Sequence, residues 1–424
     1  LILIKSWKLN NGATLIVEDI PYLRSAAIGV FIKVGSRHEP NSIAGASHFV
    51  EHMIFKGTES RSAREIAESF ESIGGQLNAF TSREYTCVYA RTLDENVDLA
   101  MDIIFDMLFN SSMTQKDFDT EKNVIIEEIN MYEDTPDELI HDIFARKMWE
   151  GHPMGVPILG YLNTIQNMVR DDLIKYYKSN YVTSNLIISV AGNVDHHKIM
   201  DGIEKRCENA PHKMAEHIVE KPIERTSFIS LVPKETEQVQ ICLGVPGISY
   251  KDENRYKQNI MNSILGGGIS SRLFQSLREE LGLAYSVYSY PSNYSDTGSY
   301  CICIGTGPSK LSKFFNALNE QMDLFIREGA TDAEINRTRQ LNKSNILLSL
   351  ESVMNRMNRQ AKSLLMYDRV IPPEEVIERM YQVDAGSVHE FTGNMLKRDF
   401  LSIAAIGSKD VLPVVEQEYK KLWG

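Results

Sequence analysis

The chain has 424 residues, 43% of them hydrophobic and 24% charged. It can therefore bury a large core, and its length favours two or three domains. The formal net charge of -12 leaves no broad basic surface, so neither nucleic acid nor a membrane is expected as a partner. The opening LILIKSW carries too few apolar residues for the hydrophobic region of a signal peptide, and no apolar run of 18 or more residues could span a bilayer. We expect a globular, cytoplasmic protein.

Alternating and helical hydrophobic patterns predict the elements of the first half in chain order. Strands are predicted for ATLIVED and SAAIGVFIKVGS, followed by a helix over residues 42–56, a second helix and the strand REYTCVYARTL. Helices then dominate to about residue 180, and the strand SNLIISVAGNV and a helix close this half near Cys207. The polar, unpatterned segment 209–224 is the predicted linker.

The same order of elements restarts after the linker. Strand EQVQICLGVPGIS, a helix through QNIMNSILGGG, strands GLAYSVYSYPS and GSYCICIGTG, further helices and a last strand DFLSIAAIG are predicted. This indicates an internal repeat of about 210 residues. A threonine begins a long amphipathic helix in each half, at SMTQKDF and at GATDAEI. We predict an α+β fold of two homologous domains, 1–208 and 225–424, each with a mainly antiparallel sheet flanked by helices.

The five cysteines show no CxxC spacing, which favours reduced, buried thiols over metal ligands. Histidines do form a metal-type pattern, in GASHFVEHMIFKG. His48 and His52 stand four residues apart, so on a helix both imidazoles reach one metal ion, with Glu51 beside them. A zinc site that catalyses hydrolysis uses three protein ligands and keeps one position open for water. The alternative is a pair of partly exposed histidines on an amphipathic helix.

With EKNVIIEEINMYEDTPDE downstream, the pattern resembles the inverted-motif (HxxEH) zinc peptidases, the family of pitrilysin, insulysin and the mitochondrial processing peptidase. The resemblance is greatest to bacterial two-domain members similar to the processing peptidase. In that family a third ligand follows the second histidine by about 75 residues, and a helper glutamate precedes it by two helical turns. These spacings imply Glu128 as ligand and Glu121 as helper. Glu127 is the competing ligand, but it points about 100° away round the helix, so we assign it to solvent.

The resemblance also implies a substrate site. In the family, a substrate peptide adds as an extra strand to an edge strand, here LNAFTSREYTCVYA, and its backbone pairs with Asn78, Ala79, Phe80 and Thr81. Alternatively Phe80 is a strand residue packed in the core, which is the reading we favour for Tyr85.

In the second half, SLREELGLAYSVYS resembles the family's Arg and Tyr pair, seven residues apart. The resemblance implies that Arg278 and Tyr285 donate hydrogen bonds to the oxyanion formed during hydrolysis. Without it, Arg278 reads as a surface charge. The nearby LGGGISSRLF lacks the lysine of a phosphate-binding loop and is read as a helix end and turn.

Two acidic residues downstream of Glu128 match positions that receive an arginine of the substrate, two residues before the cut, in the mitochondrial processing peptidase. They are Glu138 and Asp142, which share one helix face. The alternative is an ordinary acidic first turn of a helix, which the helix dipole favours.

The second half carries Met261, Ile264 and Leu265 where the metal motif would repeat, so it cannot bind zinc in this way. One half therefore supplies the metal site, and the other supplies Arg278 and Tyr285. Because one chain carries both half-sites, we hypothesise a homodimer whose active sites are shared between subunits. The sequence predicts a zinc-dependent endopeptidase with one Zn²⁺ per chain; the alternatives are a non-catalytic structural subunit and a peptide-binding subunit of the same fold.

Overall fold

The computed structural model describes residues 3–212 and 220–423. The chain divides into two compact units that are not simply its two halves. The first unit comprises Leu1–Asn130, Val156–Glu220 and Leu347–Ile371, and the second comprises Met131–Gly155, Lys221–Ile346 and Pro372–Gly424. Part of the predicted linker, residues 213–219, lies outside the described residues.

The helices and strands alternate along the chain in the manner of an α+β protein. The helices are α1 (Ala46–Ile54), α2 (Ala63–Ser72), α3 (Val97–Phe109), α4 (Gln115–Glu133), α5 (Pro136–Met148), α6 (Leu162–Asn167), α7 (Arg170–Asn180), α8 (His196–Arg206), α9 (Arg255–Leu265), α10 (Leu311–Glu328), α11 (Asp332–Ser349), α12 (Val353–Tyr367), α13 (Pro373–Tyr381), α14 (Ala385–Met395) and α15 (Leu412–Trp423). A π-helical segment, Phe274–Glu280, lies between α9 and α10. Within the described residues, no helix combines the length and apolar character needed to cross a membrane.

The sheet of the first unit contains the strands of the N-terminal half of the chain. They are β1 (Leu3–Lys8), β2 (Thr14–Asp19), β3 (Ser25–Ile32), β4 (Gln76–Thr81), β5 (Thr86–Leu93) and β6 (Leu186–Gly192). Their order is β1-β2-β6-β3-β5-β4. The pair β2 and β6 is parallel, and the other neighbours are antiparallel. Strand β4 thus lies at one edge of the sheet.

The sheet of the second unit repeats this arrangement. Its strands are β7 (Ile229–Pro233), β8 (Val239–Pro246), β9 (Ala284–Asn293), β10 (Gly298–Thr306) and β11 (Ser402–Gly407). The order is β7-β11-β8-β10-β9, with one parallel pair, β7 and β11, followed by antiparallel neighbours. Strands β2, β6, β3, β5 and β4 therefore correspond to β7, β11, β8, β10 and β9. The predicted fold class, two repeated and mainly antiparallel α+β domains, is confirmed.

Each sheet is covered on one face by helices of its own half and on the other by a helix from the opposite half of the chain. In the first unit, Val353, Met357 and Ala361 of α12 pack against Phe31 and Cys87 of the sheet. In the second unit, α5 and the residues after it pack on the sheet in a separate buried cluster. That cluster includes Leu139, Ile140, Ile143, Phe144, Met148, Cys242, Cys301, Cys303, Ala404 and Ile406. The two halves therefore exchange one helix each.

Two strands and one helix boundary differ from the elements predicted from the sequence. Strands β1 and β7 are absent from the predicted set. Strand β7 is only half-buried and shows no alternating burial pattern. The first helix begins at Ala46 rather than at residue 42, because residues 41–43 form a separate 3-10 turn and Gly45 adopts a φ of 98°. All five cysteines are free and buried, in agreement with the prediction.

Candidate active site

Helix α1 carries the HxxEH motif, and a buried carboxylate caps its N-terminus. Gly45 has no side chain with which to cap the helix, so the carboxylate of Glu39 caps it instead. Its two oxygens accept hydrogen bonds from the backbone N–H groups of Gly45 and Ser47, at 2.7 and 2.6 Å. Burial raises the pKa of Glu39 to about 7, although these hydrogen bonds oppose the rise. The start of the helix at Ala46, two residues before His48, is thereby fixed.

The structure brings the three predicted metal ligands together. One donor atom from each of His48, His52 and Glu128 lies within 4.8 Å of the other two. Glu128 Oε2 is 3.8 Å from His48 Nε2 and 3.5 Å from His52 Nε2. The neighbouring Glu127 is exposed, so its side chain faces solvent as expected.

The two histidines differ in how the protein holds them. His52 Nδ1 donates a hydrogen bond of 3.0 Å to Glu121 Oε2, and this leaves the lone pair of Nε2 on the side of Glu128. His48 Nδ1 is buried and makes no hydrogen bond with any residue that the structure describes. Burial lowers the pKa of His48 to about 3, and the neighbouring His52 adds to the effect. His48 is therefore a neutral imidazole, the form that binds metals.

Glu51 lies beside this cluster and is held by the edge strand. Thr81 Oγ1 of β4 donates a hydrogen bond of 2.5 Å to Glu51 Oε2. Burial raises the pKa of Glu51, and the Glu128 carboxylate adds to the rise, whereas Thr81 and His52 oppose it. A carboxylate with a raised pKa is a stronger proton acceptor than a carboxylate with the ordinary pKa, as a general base requires.

Strand β4 presents the four predicted substrate-binding residues at the sheet edge, where it pairs with β5 and with no other described strand. Asn78 is exposed and Ala79 is buried. Phe80 is half-buried, with its ring 5.9 Å from Tyr85 and 6.1 Å from Tyr89. Phe80 thus packs partly against its own sheet and stays partly accessible at the sheet edge.

Arg278 and Tyr285 are neighbours in the second unit. Arg278 lies in the π-helical segment and Tyr285 near the start of β9, with the guanidinium carbon 6.0 Å from the centre of the phenol ring. Both side chains are accessible: Arg278 is 44% exposed and Tyr285 75% exposed. Met261, Ile264 and Leu265 of α9 are buried in the core, so this unit holds no counterpart of the HxxEH motif at those positions.

Glu138 and Asp142 lie one turn apart on α5, in the second unit, with Glu138 exposed and Asp142 half-buried. Between them, His141 makes hydrogen bonds to the hydroxyl groups of Tyr290 and Tyr288 at 2.6 and 3.0 Å. The two acidic side chains therefore sit on a helix that is anchored to β9.

Sequence reasoning missed three contacts of the site. They are the Glu39 cap of α1, the Thr81 hydrogen bond to Glu51, and an ion pair of 2.7 Å between Lys56 Nζ and Glu121 Oε1. The spacing of Glu39 before a helix whose N-cap is glycine offered a signal for the first. The other two join distant segments and leave no local pattern.

The donor set fits a zinc ion. Two imidazole nitrogens and one carboxylate oxygen are the ligands of many catalytic zinc sites. The second ring nitrogen of a zinc-bound histidine is usually held by a carboxylate, as Glu121 holds His52. The residues of this site therefore suit a metal that keeps a position open for water.

Comparison with known proteins agrees with this geometry. Residues 14–161 match the family described as insulinase (peptidase family M16), and residues 167–342 match the peptidase M16 inactive domain. An uncharacterized zinc protease of Bacillus subtilis (strain 168) is 41% identical over 411 residues, which cover 97% of this chain and 100% of that one. An uncharacterized zinc protease of Streptomyces coelicolor is 36% identical, covering 92% of this chain and 86% of that one.

Solved structures share the fold. A protease from Helicobacter pylori has a TM-score of 0.89 at 22% identity, covering 96% of this chain and 100% of its own. A Pseudomonas fluorescens structure, described as a peptidase M16 inactive domain, has a TM-score of 0.88 at 18% identity, covering 96% and 98%. The HxxEH motif, the repeated fold and the extent of these similarities lead to one conclusion: the chain belongs to the M16 family of peptidases.

Proposed function

We propose that the protein is a zinc-dependent endopeptidase with one Zn²⁺ per chain, held by His48, His52 and Glu128. The observation that carries the proposal is the convergence of these three donors within 4.8 Å, next to Glu51. The relatives in Bacillus and Streptomyces that are named zinc proteases support it.

Zinc held by these residues would supply a Lewis acid, which would make water a better nucleophile near neutral pH. Glu51 would accept the proton of the water that attacks the peptide carbonyl and would later donate it to the leaving amine. Thr81 keeps one carboxylate oxygen of Glu51 engaged, so the other oxygen is the one available to the water. Glu121 fixes the ring of His52.

The substrate is an extended peptide that adds to β4 as a further strand. Main-chain pairing along residues 78–81 would hold many sequences equally well, because it makes no use of side chains. Thr81 joins this strand to Glu51, so the groups that bind the peptide and the group that activates water share one hydrogen bond.

Arg278 and Tyr285 complete the site by donating hydrogen bonds to the oxyanion. We propose that they act on the metal site of a second copy, in a homodimer, since one chain carries both half-sites. Mixing a His52→Ala protein with an Arg278→Ala protein tests this. Recovered peptidase activity supports a shared site, whereas no recovery after verified subunit exchange contradicts it.

A preference for basic residues before the cut follows if Glu138 and Asp142 receive an arginine. Their carboxylates lie one helical turn apart, which suits the forked donors of a guanidinium group. Cleavage of a peptide library, read by mass spectrometry, would show arginine enriched two residues before the cut. A profile without basic residues contradicts this part of the proposal.

The whole proposal is tested by a quenched fluorescent peptide, with and without a chelator. We expect hydrolysis that stops when zinc is removed and returns when one equivalent is restored. Bound zinc without cleavage of any peptide would instead favour a peptide-binding subunit. A protein that neither binds zinc nor cleaves would favour a structural subunit.

A further inference from the structure

Lys56 follows α1 and reaches the carboxylate that holds His52. Its ammonium nitrogen lies 2.7 Å from Glu121 Oε1, while Glu121 Oε2 accepts the hydrogen bond from His52 Nδ1 at 3.0 Å. Lys56 stands four residues after His52, and its backbone N–H still bonds to Met53 O at 3.1 Å. The two side chains therefore approach the same carboxylate from the same side of the helix end.

The pair is unlike an ordinary surface salt bridge. The Glu121 side chain is only 4% exposed, and that of Lys56 is 34% exposed. A surface pair contributes little, because water screens both charges and both side chains move. A buried carboxylate, in contrast, needs a partner at each oxygen, and Glu121 has one at each. With both oxygens engaged, its carboxylate plane is fixed.

The other lysine near Glu121 does not share this role. Lys122 is the next residue on α4, but its ammonium group donates to Gln166 O at 2.9 Å. It also lies 5.2 Å from the centre of the Phe118 ring. Lys122 is therefore a matched control: it lies on α4 next to Glu121 and carries the same charge as Lys56, but its ammonium group points away from the Glu121 carboxylate.

We propose that Lys56 is a positioning residue of the metal site. By holding Glu121 Oε1 it keeps Oε2 aimed at His52 Nδ1, and this presents His52 Nε2 toward Glu128 as a metal ligand. The inference rests on the proposed zinc function and assigns to Lys56 a role in metal affinity, not contact with substrate. Groups that orient metal-bound histidines typically contribute a factor of about 10 to 100 in metal affinity.

The test measures the zinc dissociation constant by competition with a chromophoric chelator, and the melting temperature of the metal-free protein by circular dichroism. Lys56→Met keeps the length of the side chain and removes its charge. We expect it to weaken zinc binding by about tenfold or more. Lys56→Arg retains a cation, so it should restore binding to within about threefold of the wild type. Lys122→Met should bind zinc as the wild type does.

A double substitution separates positioning from general destabilisation. Because Lys56 acts through Glu121, adding Lys56→Met to Glu121→Gln should weaken zinc binding no further than Glu121→Gln alone. Wild-type affinity in Lys56→Met overturns the inference while the zinc function stands, and so does a lowered melting temperature with unchanged affinity. A wild-type protein that binds no zinc overturns the proposed function itself and, with it, this inference.

Discussion

Glu334 is held at the start of α11 by a network that sets its charge. Arg272 donates to both of its oxygens, at 2.7 and 2.8 Å, and the backbone N–H and hydroxyl group of Thr331 donate to Oε2 at 2.8 and 2.9 Å. The Glu334 side chain is 14% exposed. Burial alone would raise its pKa, but the hydrogen bonds from Arg272 and Thr331 outweigh it and lower the pKa from 4.5 to about 2.

The lowered pKa makes the second unit sensitive to acid. The folded pKa lies below the unfolded one, so this stabilisation is present above about pH 4.5 and is lost as the pH falls toward 2. A difference of about 2.5 pKa units corresponds to about 3 kcal/mol. Glu334→Gln keeps one acceptor oxygen but no charge, so we expect it to lower the free energy of unfolding by about 2 to 3 kcal/mol at pH 7.

Urea unfolding followed by tryptophan fluorescence measures this difference. Trp149 and Trp423 belong to the second unit and Trp7 to the first, so a Trp7→Phe background restricts the signal to the second unit. Glu328→Gln, an exposed glutamate at the end of α10, should change stability by less than about 0.5 kcal/mol. Equal stability of Glu334→Gln and its parent at pH 7 would refute the reasoning, as would a difference that stays undiminished at about pH 3.

Three further substitutions test other parts of the account. Thr81→Val removes the hydrogen bond to Glu51 without changing shape, so kcat should fall about tenfold while zinc content stays at the wild-type level; an unchanged kcat would contradict the role of Thr81. Met357→Ala opens a cavity beneath the sheet of the first unit and should cost about 2 to 4 kcal/mol by urea unfolding read from Trp7; a loss below about 1 kcal/mol would argue against α12 as its cover. Glu138→Gln with Asp142→Asn should abolish any preference for arginine before the cut while hydrolysis of neutral peptides continues, and a retained preference would place the arginine site elsewhere.

Much of the fold follows from local patterns. Apolar alternation located β2, β3 and β5, and the recurrence of the same order after the linker indicated the repeat. The threonines before α4 and α11 do begin those helices: Thr114 and Thr331 each accept a hydrogen bond from the backbone N–H three residues later. These patterns involve residues close in the sequence, so they predict strands and helix starts without any knowledge of tertiary contacts.

The exchange of helices between the two halves could not be predicted in this way. An amphipathic helix shows that one face is buried, but not which sheet buries it. Helices α5 and α12 each cover the sheet of the opposite half. The predicted boundaries, 1–208 and 225–424, describe a sequence repeat, and the compact units cross those boundaries.

Some residues of the candidate site could also be predicted from local sequence patterns, and others could not. The spacing of His48, Glu51 and His52 on one helix is readable from the sequence, because helix geometry alone places them together. Glu128 required the family resemblance, since it lies about 75 residues further on. Lys56 was passed over because its ion pair with Glu121 depends on how α1 and α4 pack.

The central claim is that Glu51 activates water at a zinc site that it does not itself hold together. Peptide turnover per bound zinc in Glu51→Gln tests that claim most directly, with zinc content measured on the same sample. Glutamine keeps the shape of the side chain but cannot accept a proton, so one zinc per chain should remain and turnover should fall by a factor of at least about 100. A Glu51→Gln protein that cleaves peptides at the wild-type rate would contradict the account.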